Sequence, residues 1–364
     1  MRVMIAGGGT GGHVFPGLAV AEAIGQRLPG ASIRWVGTAH GLEGRMGPAL
    51  GYPLTVLPVQ PLKGRRMTAR ATALAQAARA CWRSWGLLRS WRPDLVVGVG
   101  GFVAGPLTLM AALRGCPTVI LEQNRIPGLT NRWLGRVARQ ICVTYPDSDR
   151  FFPAGKAVCT GNPIRKRVLN EFAATPARTD ADVVLLVFGG SQGARAIDTA
   201  VCDMLPHLGS LAPRIRIIHQ HGRGSDAERL RRSYVAAGVR ATVQPFIDKM
   251  GEVYREADLV ICRSGSSSLA ELSCTGRPAI LIPYPVAADD HQAWNARYFS
   301  DAGAAMVIPE RELTGARLAA TVTLLLNQPG RLGRMVEAMK GLARPDAAAQ
   351  IAAVCAHLVR GRDV

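Results

Sequence analysis

The sequence predicts an α/β protein of two doubly wound parallel-sheet domains that face each other across a cleft. Strand-like and helix-like segments alternate along 364 residues, a length that one hydrophobic core rarely serves. Strand candidates such as residues 94–97 and 278–282 are apolar on both faces, as in a sheet covered by helices. A glycine-rich turn of the kind that binds phosphate also follows an apolar strand in each half of the chain.

The predicted strands fall into two groups. Gly161-Asn162-Pro163 is a turn signal between them, and we place the linker at residues 163–165. An Ala-rich helix over 347–360 has an apolar stripe that could pack on either domain. The strands are expected near 2–6, 32–37, 54–59, 94–99, 117–122, 140–144 and 156–159, then near 182–188, 214–219, 241–245, 258–262, 279–283 and 305–308.

The first glycine-rich turn, residues 7–13 (GGGTGGH), lies between a strand and a helix. Its glycines at 7, 9 and 12 match the G-x-G-x-x-G spacing that lets backbone N–H groups approach phosphate. A dinucleotide enzyme would need an acidic residue at the end of the second strand, but residues 35–38 (WVGT) have none. His13 is a candidate proton acceptor, or else a capping or packing histidine.

Other strand ends in the first half also have unusual residues. Residues 98–106 (GVGGFVAGP) either line a ligand or form a tight β-α crossover. Glu122, Gln123 and Asn124 end a buried strand, where open α/β sheets bind ligands, so we favour a functional role over packing. Arg165, at the predicted hinge, could pair with a phosphate or with a surface carboxylate.

The second half repeats the phosphate-type turn at residues 189–194 (GGSQGA). Further on, Ser268 and Glu271 fit a capping box, which is a structural explanation, although serines at a helix start also suit a diphosphate. Asp289 and Asp290 precede His291, but no second histidine stands at ligand spacing, so we predict no metal.

The chain is strongly basic, with a formal net charge of +18, which favours anionic partners. Residues 63–92 alternate arginine with tryptophan and leucine and contain no acidic residue. This segment either lies on an anionic membrane surface or packs its tryptophans into the core. No nucleic-acid-binding motif accompanies the charge, so nucleic acid is not an expected partner.

The remaining composition favours a soluble protein of a reducing compartment. Eight single cysteines form no C-x-x-C pair and are expected to be free thiols. We expect no signal peptide before the first strand. Residues 95–113 are uncharged but contain five glycines and Pro106, so a strand, a loop and a helix start are favoured over a membrane-spanning helix.

Seven motifs together resemble the MurG family, the bacterial glycosyltransferases that make the second lipid-linked intermediate of peptidoglycan. The resemblance covers nearly the whole chain, and the order of the motifs makes it more specific than any single glycine loop. The motifs are GGTGGHVFPGLAVA at 8–21, GGFVAGP at 100–106, LEQN at 121–124, TGNPIR at 160–165, GGSQGAR at 189–195, RSG…E at 263–271 and DHQ…N at 290–295.

The resemblance implies the GT-B fold, two Rossmann-like domains separated by a cleft. Residues 1–163, completed by a C-terminal helix over 343–364, would bind the lipid-linked acceptor and associate with the membrane. Residues 164–342 would bind UDP-N-acetylglucosamine (UDP-GlcNAc). The acceptor pyrophosphate would meet Gly9, Thr10, Gly11, Gly12 and Gly101.

The resemblance also implies a donor site. Ser191 and the helix start at Ser266, Ser267 and Ser268 would meet the diphosphate, and Glu271 the ribose. The backbone of Ile247 would contact uracil, with Gln292 and Asn295 near the sugar. Thr10, Gly11, Gly12, Asn124 and Arg165 complete the implied donor set.

The implied reaction is inverting transfer of GlcNAc to the C4 hydroxyl of undecaprenyl-pyrophosphoryl-MurNAc-pentapeptide, with no cofactor or metal. His13 would act as general base or would position the acceptor hydroxyl, with Asn124 beside it. The expected location is the cytoplasmic face of the inner membrane, on anionic lipids. The alternatives are another GT-B nucleotide-sugar transferase, a UDP-GlcNAc epimerase and a non-enzymatic nucleotide-sugar sensor.

Overall fold

The chain forms two compact units, Met1–Arg165 with Pro345–Val364, and Lys166–Arg344. The computed structural model describes residues 1–57, 67–178, 182–190, 193–222, 226–328 and 330–360, and of residues 67–75 it describes the backbone only. In each unit a parallel β-sheet is covered by helices on both faces.

The first unit contains a seven-stranded sheet in the order β3-β2-β1-β4-β5-β6-β7. The order reverses between β1 and β4, and ligands of open α/β sheets bind at the carboxyl ends of such a strand pair. The strands are β1 (Arg2–Gly7), β2 (Ser32–Gly37), β3 (Leu54–Val56), β4 (Leu95–Gly100), β5 (Thr118–Glu122), β6 (Gln140–Val143) and β7 (Ala157–Cys159). The α-helices are α1 (Gly11–Arg27), α2 (Leu42–Met46), α3 (Met67–Trp91), α4 (Ala104–Leu113), α5 (Leu129–Val137) and, from the end of the chain, α14 (Ala347–Arg360).

Both faces of this sheet are buried, as the continuous apolar strands predict. Along β1, Val3 and Ile5 pack in the cluster that contains α1 and α14. Met4 and Ala6 point to the opposite face and pack with residues of α3 and α4. Alternate residues of one strand therefore belong to two cores, which is the doubly wound arrangement.

The C-terminal helix packs on the first unit. Ile351, Ala352 and Cys355 of α14 are buried in the same cluster as Val20 and Ile24 of α1. The apolar stripe of α14 left this choice open, and the structure resolves it: the helix covers the face of the sheet that α1 covers.

The second unit contains a six-stranded sheet in the order β10-β9-β8-β11-β12-β13, which reverses between β8 and β11. Its core lies between this sheet and helices that include α7, α8 and α12. The strands are β8 (Val183–Phe188), β9 (Ile215–Gln220), β10 (Arg240–Gln244), β11 (Leu259–Cys262), β12 (Ala279–Leu281) and β13 (Ala305–Val307). The α-helices are α6 (Lys166–Ala174), α7 (Arg195–Met204), α8 (Ala227–Ala236), α9 (Met250–Glu256), α10 (Ser266–Thr275), α11 (His291–Asp301), α12 (Gly315–Asn327) and α13 (Arg331–Gly341).

The structure confirms every predicted strand, with ends displaced by up to two residues where both ends lie in the described chain. Residues 95–113 divide into β4, a loop and α4, as expected. Within the described ranges, no helix has both the length and the apolar character that crossing a membrane requires. All eight cysteines are free thiols.

The basic, tryptophan-containing segment forms most of α3, although residues 63–66 lie outside the described residues. The alternative that this segment packs its tryptophans into the core is wrong for two of them, because the side chains of Trp82 and Trp85 are 75% and 42% exposed. Leu88 is buried in the core of this unit, and Trp91 packs against the same cluster. The segment thus combines one buried stripe with an aromatic outer surface.

Candidate active site

Three loops meet at the carboxyl edge of the first sheet. They follow β1, β4 and β5, which are adjacent in the sheet, and they lead into α1, α4 and α5. Parallel strands bring all their carboxyl ends to one edge. The glycine turn, residues 98–106 and the residues around Asn124 are therefore neighbours in space, although they are far apart in sequence.

The first two of these loops touch through backbone atoms. Gly101 has φ +79°, and a Cβ built on it would lie 2.6 Å from the carbonyl oxygen of Gly8. Gly100 has φ +114°, and its Cβ would lie 2.7 Å from Cδ2 of His13. The loop after β4 is thus more than a tight crossover, because it holds the half-buried His13 imidazole at the switch point.

The amino terminus of α1 faces the same edge. Thr10 is the N-cap residue and is extended, and its side chain makes no capping hydrogen bond. The first N–H groups of a helix have no acceptor within the helix and carry partial positive charge. The N–H groups of Gly11 and Gly12 therefore suit an anion such as pyrophosphate.

Glu122 and Gln123 hold the neighbouring loops in place. The buried Glu122 carboxylate accepts hydrogen bonds from the Asn124 N–H at 2.9 Å, the Gly128 N–H at 3.2 Å and Asn131 Nδ2 at 2.9 Å. Gln123 Nε2 donates to the Val99 carbonyl at 2.6 Å. Asn124 Nδ2 also donates to Glu122 Oε1 at 3.4 Å, and Asn124 is partly exposed at the sheet edge.

Arg165, the last residue of the first unit's main segment, lies beside the first glycine turn. Its guanidinium carbon is 4.2 Å from the centroid of the Phe15 ring, a cation–π contact. Phe15 in turn packs under Gly11, where a Cβ would approach the ring to 2.9 Å. Arg165 therefore lies in the first unit, near the glycine turn whose residues are expected to contact the donor or the acceptor.

The second glycine turn lies at the switch point of the other sheet, before α7. Gly193 has φ +77°, and a Cβ there would collide with the carbonyl oxygen of His221. Gln220 Nε2, at the end of β9, donates to the carbonyl of Gly190 at 3.3 Å. Ser191, a predicted diphosphate ligand, lies outside the described residues.

The prediction of a capping box at Ser268 and Glu271 is wrong, because α10 begins at Ser266. Its N-cap is Gly265, which is extended, so Ser268 already lies within the first turn. Glu271 is buried and accepts a hydrogen bond from the Tyr254 hydroxyl at 3.0 Å. Among the described residues, Ser267 Oγ has no hydrogen-bond partner. Ser268 therefore does not have the structural role that a capping box would give it.

The segment at the start of α11 is tied to the residues just before α10. Ser264 Oγ donates to the Gln292 carbonyl at 2.8 Å, and Asn295 Nδ2 contacts the Ser264 carbonyl at 3.4 Å. Ile247 lies in the loop between β10 and α9, with its side chain buried. Across the described ranges, no group of three or more His, Cys, Asp or Glu side chains could hold a metal ion.

Sequence reasoning missed a carboxylate beside the first glycine turn. β2 ends without an acidic residue, but Glu43 of α2 reaches back and accepts a hydrogen bond from the Gly9 N–H at 2.9 Å. Glu43 is fully buried. The sequence does contain one indication of this role, because glycines at 37, 41 and 44 flank this single acidic residue.

Comparison with known proteins identifies the family. Residues 3–143 match the N-terminal domain of glycosyltransferase family 28, and residues 184–351 match its C-terminal domain. A relative from Anaeromyxobacter dehalogenans, a UDP-N-acetylglucosamine–N-acetylmuramyl-(pentapeptide) pyrophosphoryl-undecaprenol N-acetylglucosamine transferase, is 47% identical and covers 100% of this chain and 94% of its own. The crystal structure of Acinetobacter baumannii MurG superposes with a TM-score of 0.79 at 32% identity, covering 98% and 99% of the two chains. The chain belongs to the MurG family.

Membership in the MurG family agrees with the architecture. The two parallel-sheet units and the likeness to a MurG crystal structure establish the GT-B fold expected from the sequence. A UDP-GlcNAc 2-epimerase from Neisseria meningitidis, bound to UDP-GlcNAc, has a TM-score of 0.69 at 13% identity and covers 98% of this chain and 100% of its own. At that identity the likeness extends to the fold alone.

Glu122 should make the stability of this MurG-family chain depend on pH. Burial raises the pKa of Glu122 from 4.5 to about 7, against the opposing effect of its N–H donors. An acid with a raised pKa stabilises the folded state only while it is protonated. The free energy of unfolding should therefore fall by about 3 kcal/mol, relative to Glu122→Gln, as pH rises from about 4.5 to about 7.

Urea unfolding of both proteins across this pH range measures the difference. The exposed Glu22→Gln is the matched control and should follow the wild type at each pH. Parallel curves for wild type and Glu122→Gln would show that Glu122 is already ionised at the low end of the range.

Proposed function

We propose that this MurG-family chain transfers GlcNAc from UDP-GlcNAc to the C4 hydroxyl of undecaprenyl-pyrophosphoryl-MurNAc-pentapeptide. The observation that carries the proposal is 47% identity, over the whole chain, to a transferase named for this reaction. Both family 28 domains are present, which makes the chain a glycosyltransferase. The active-site geometry supports the same reaction, because each unit has a glycine-rich turn at its switch point.

The first unit, in this proposal, binds the lipid-linked acceptor. Its pyrophosphate lies against the amino terminus of α1, where the N–H groups of Gly11 and Gly12 are available to an anion. Thr10 and Gly101 border this position, because the two glycine loops are in backbone contact. The muramyl C4 hydroxyl then lies toward His13 and Asn124 at the same sheet edge.

The second unit, in this proposal, binds UDP-GlcNAc. The first turn of α10 provides N–H groups and the hydroxyls of Ser266, Ser267 and Ser268 for the diphosphate. Glu271, oriented by the Tyr254 hydroxyl, accepts from the ribose. The backbone of Ile247 contacts uracil, and the side chains of Gln292 and Asn295 lie near the sugar.

Transfer is an inverting substitution at the anomeric carbon of GlcNAc. The C4 oxygen of the acceptor forms the new bond to this carbon while the bond to the UDP oxygen breaks. His13 takes the hydroxyl proton, or positions the hydroxyl, since its imidazole is fixed against Gly100. N–H dipoles and Arg165 stabilise the negative charge that develops on UDP.

Turnover of labelled UDP-GlcNAc with a lipid-linked MurNAc-pentapeptide acceptor tests the function. The expected products are free UDP and an acceptor that carries one additional GlcNAc. Release of UDP without transfer, or epimerisation of the donor, would favour an epimerase. Tight binding of UDP-GlcNAc with neither product would favour a nucleotide-sugar sensor.

His13→Ala should lower kcat by roughly 10²-fold or more, because a positioned base contributes about 10²–10⁴-fold. The KM for UDP-GlcNAc should change little. Steady-state kinetics of His13→Ala beside the exposed His357→Ala provide the measurement and its matched control. A kcat within about threefold of wild type would remove His13 from the chemistry.

We further propose that the outer surface of α3, α4 and α5 rests on the anionic cytoplasmic face of the membrane. These helices cover one face of the first sheet, opposite α1 and α14. Trp82, Trp85 and Trp133 are exposed there, and Arg114 and Arg136 stack on the rings of Trp85 and Trp133 at 4.5 and 4.4 Å. Exposed tryptophan beside arginine suits the interface of an anionic bilayer.

Trp82→Ser combined with Trp85→Ser should weaken binding to phosphatidylglycerol-containing vesicles by about tenfold or more, through loss of buried apolar area. Vesicle co-sedimentation measures this, with neutral phosphatidylcholine vesicles as the comparison. Trp294→Ser, a partly exposed tryptophan of the second unit, is the matched control. Equal binding by all three proteins would contradict the assignment of this surface.

A further inference from the structure

Glu43 lies beneath the first glycine turn and binds the N–H of Gly9, which is therefore not available to the acceptor pyrophosphate. It belongs to the short helix α2, and its side chain is 0% exposed. In dinucleotide-binding domains an acidic side chain at the end of the second strand binds the ribose of the ligand. Here the carboxylate beside that strand end is enclosed by protein and has no access to a ligand.

Both oxygens of this carboxylate accept hydrogen bonds from the protein. Oε2 accepts from the Gly9 N–H at 2.9 Å. Oε1 accepts from the Thr38 N–H at 2.7 Å and from the Thr38 hydroxyl at 2.8 Å. The Thr38 hydroxyl itself accepts from the Gly41 N–H at 3.1 Å, so the network continues into the next loop.

Glycines form the space that the carboxylate occupies. A Cβ on Gly8 or on Gly41 would collide with the carboxylate oxygens, and a Cβ on Gly37 would lie 2.5 Å from Glu43 Cγ. Backbone from the glycine turn after β1, from the end of β2 and from the loop before α2 therefore closes on one side chain. Side chains at any of these three positions would displace it.

The same contacts fix both peptide groups of Gly9. Its N–H donates to Glu43, and its carbonyl accepts from the Leu42 N–H at 3.2 Å. Gly9 has φ +94°, a conformation that glycine adopts readily and other residues rarely do. Because the N–H and the carbonyl of Gly9 are both hydrogen-bonded to α2, the direction of the chain from Gly9 to Gly11 and Gly12 is fixed.

We propose that Glu43 is a positioning residue that sets the first glycine turn for the acceptor pyrophosphate. The inference rests on the proposed function of the first unit. Glu43 acts through Gly9 on the N–H groups of Gly11 and Gly12, and it touches neither substrate. The contacts proposed for the diphosphate, ribose and uracil of the donor lie in the second unit, whose turn has its own support from Gln220, so a change at Glu43 should affect the donor less than the acceptor.

The site requires a carboxylate because every partner of Glu43 in this network is a donor. A glutamine has one oxygen and one NH₂ group, so its NH₂ group would face either the Gly9 N–H or the Thr38 N–H. A buried donor left without an acceptor is costly. Glu43→Gln should therefore loosen the turn although it preserves size and shape.

Steady-state kinetics with both substrates varied test the proposal. Glu43→Gln should raise the KM for the lipid-linked acceptor by about tenfold, with the KM for UDP-GlcNAc within about twofold of wild type. Glu22→Gln, the same change at an exposed site of the first unit, is the matched control and should leave both constants unchanged. Equal effects on both KM values, or none, would overturn the proposal.

A second pair of variants covers the case in which Glu43→Gln fails to fold. Thr38→Val removes the hydroxyl that donates to Oε1 and should raise the acceptor KM by a few fold, whereas Thr38→Ser retains the hydroxyl and should restore the wild-type value. Equal acceptor KM values for Thr38→Val and Thr38→Ser would contradict the role of the network. Wild-type turnover in the same assay reports on the proposed function separately, since its absence would reject that function and not the Glu43 network.

Discussion

The close approach of two backbone turns at the switch point of the first sheet is the constraint on which the site depends. Gly101 lies against the Gly8 carbonyl and Gly100 against the His13 ring, at separations that leave no room for a Cβ. Because these contacts involve backbone, they hold His13 more firmly than a flexible side-chain contact would. The imidazole, the start of α1 and the loop after β5 then lie at one edge of the sheet.

The two units support their glycine turns from equivalent places in the sheet. In each, the turn follows the strand at the reversal of strand order, and the support comes from beside the adjacent strand. The first unit uses a carboxylate, Glu43, which accepts from an N–H group of the turn. The second uses an amide, Gln220, which donates to a carbonyl of the turn. The supporting side chain is therefore a hydrogen-bond acceptor in one unit and a donor in the other. The two turns need not bind the same ligand.

Local patterns predicted most of the fold. Strands such as β4 and β8 are buried on both faces, so their continuous apolar runs identified them, and glycine spacing located both turns. The sequence did not determine the partner of α14, because an apolar stripe specifies that a helix packs but not on which surface. The start of α10 was misplaced because Ser268 and Glu271 match a capping box, whereas Gly265 takes the N-cap position.

The candidate site was predicted less completely than the fold. Motifs identified His13, Asn124 and Arg165, and parallel strand ends account for the position of the first two, whereas Arg165 reaches the turn through its contact with Phe15. Glu43 was missed because its role depends on a chain reversal between β2 and α2 that brings it back to Gly9. Local sequence gives no distance for such a contact. The glycines at 37 and 41 gave the one visible indication that a side chain needed space there.

The docking of α14 on α1 has a consequence for biosynthesis. Residues 166–344 form the whole second unit, and they are translated before the helix that completes the first. Until then the apolar surface of α1 that receives Ile351 and Cys355 stays uncovered on the nascent chain. The first unit therefore reaches its final packing only after the second has left the ribosome, and chaperones have that interval in which to bind the open surface.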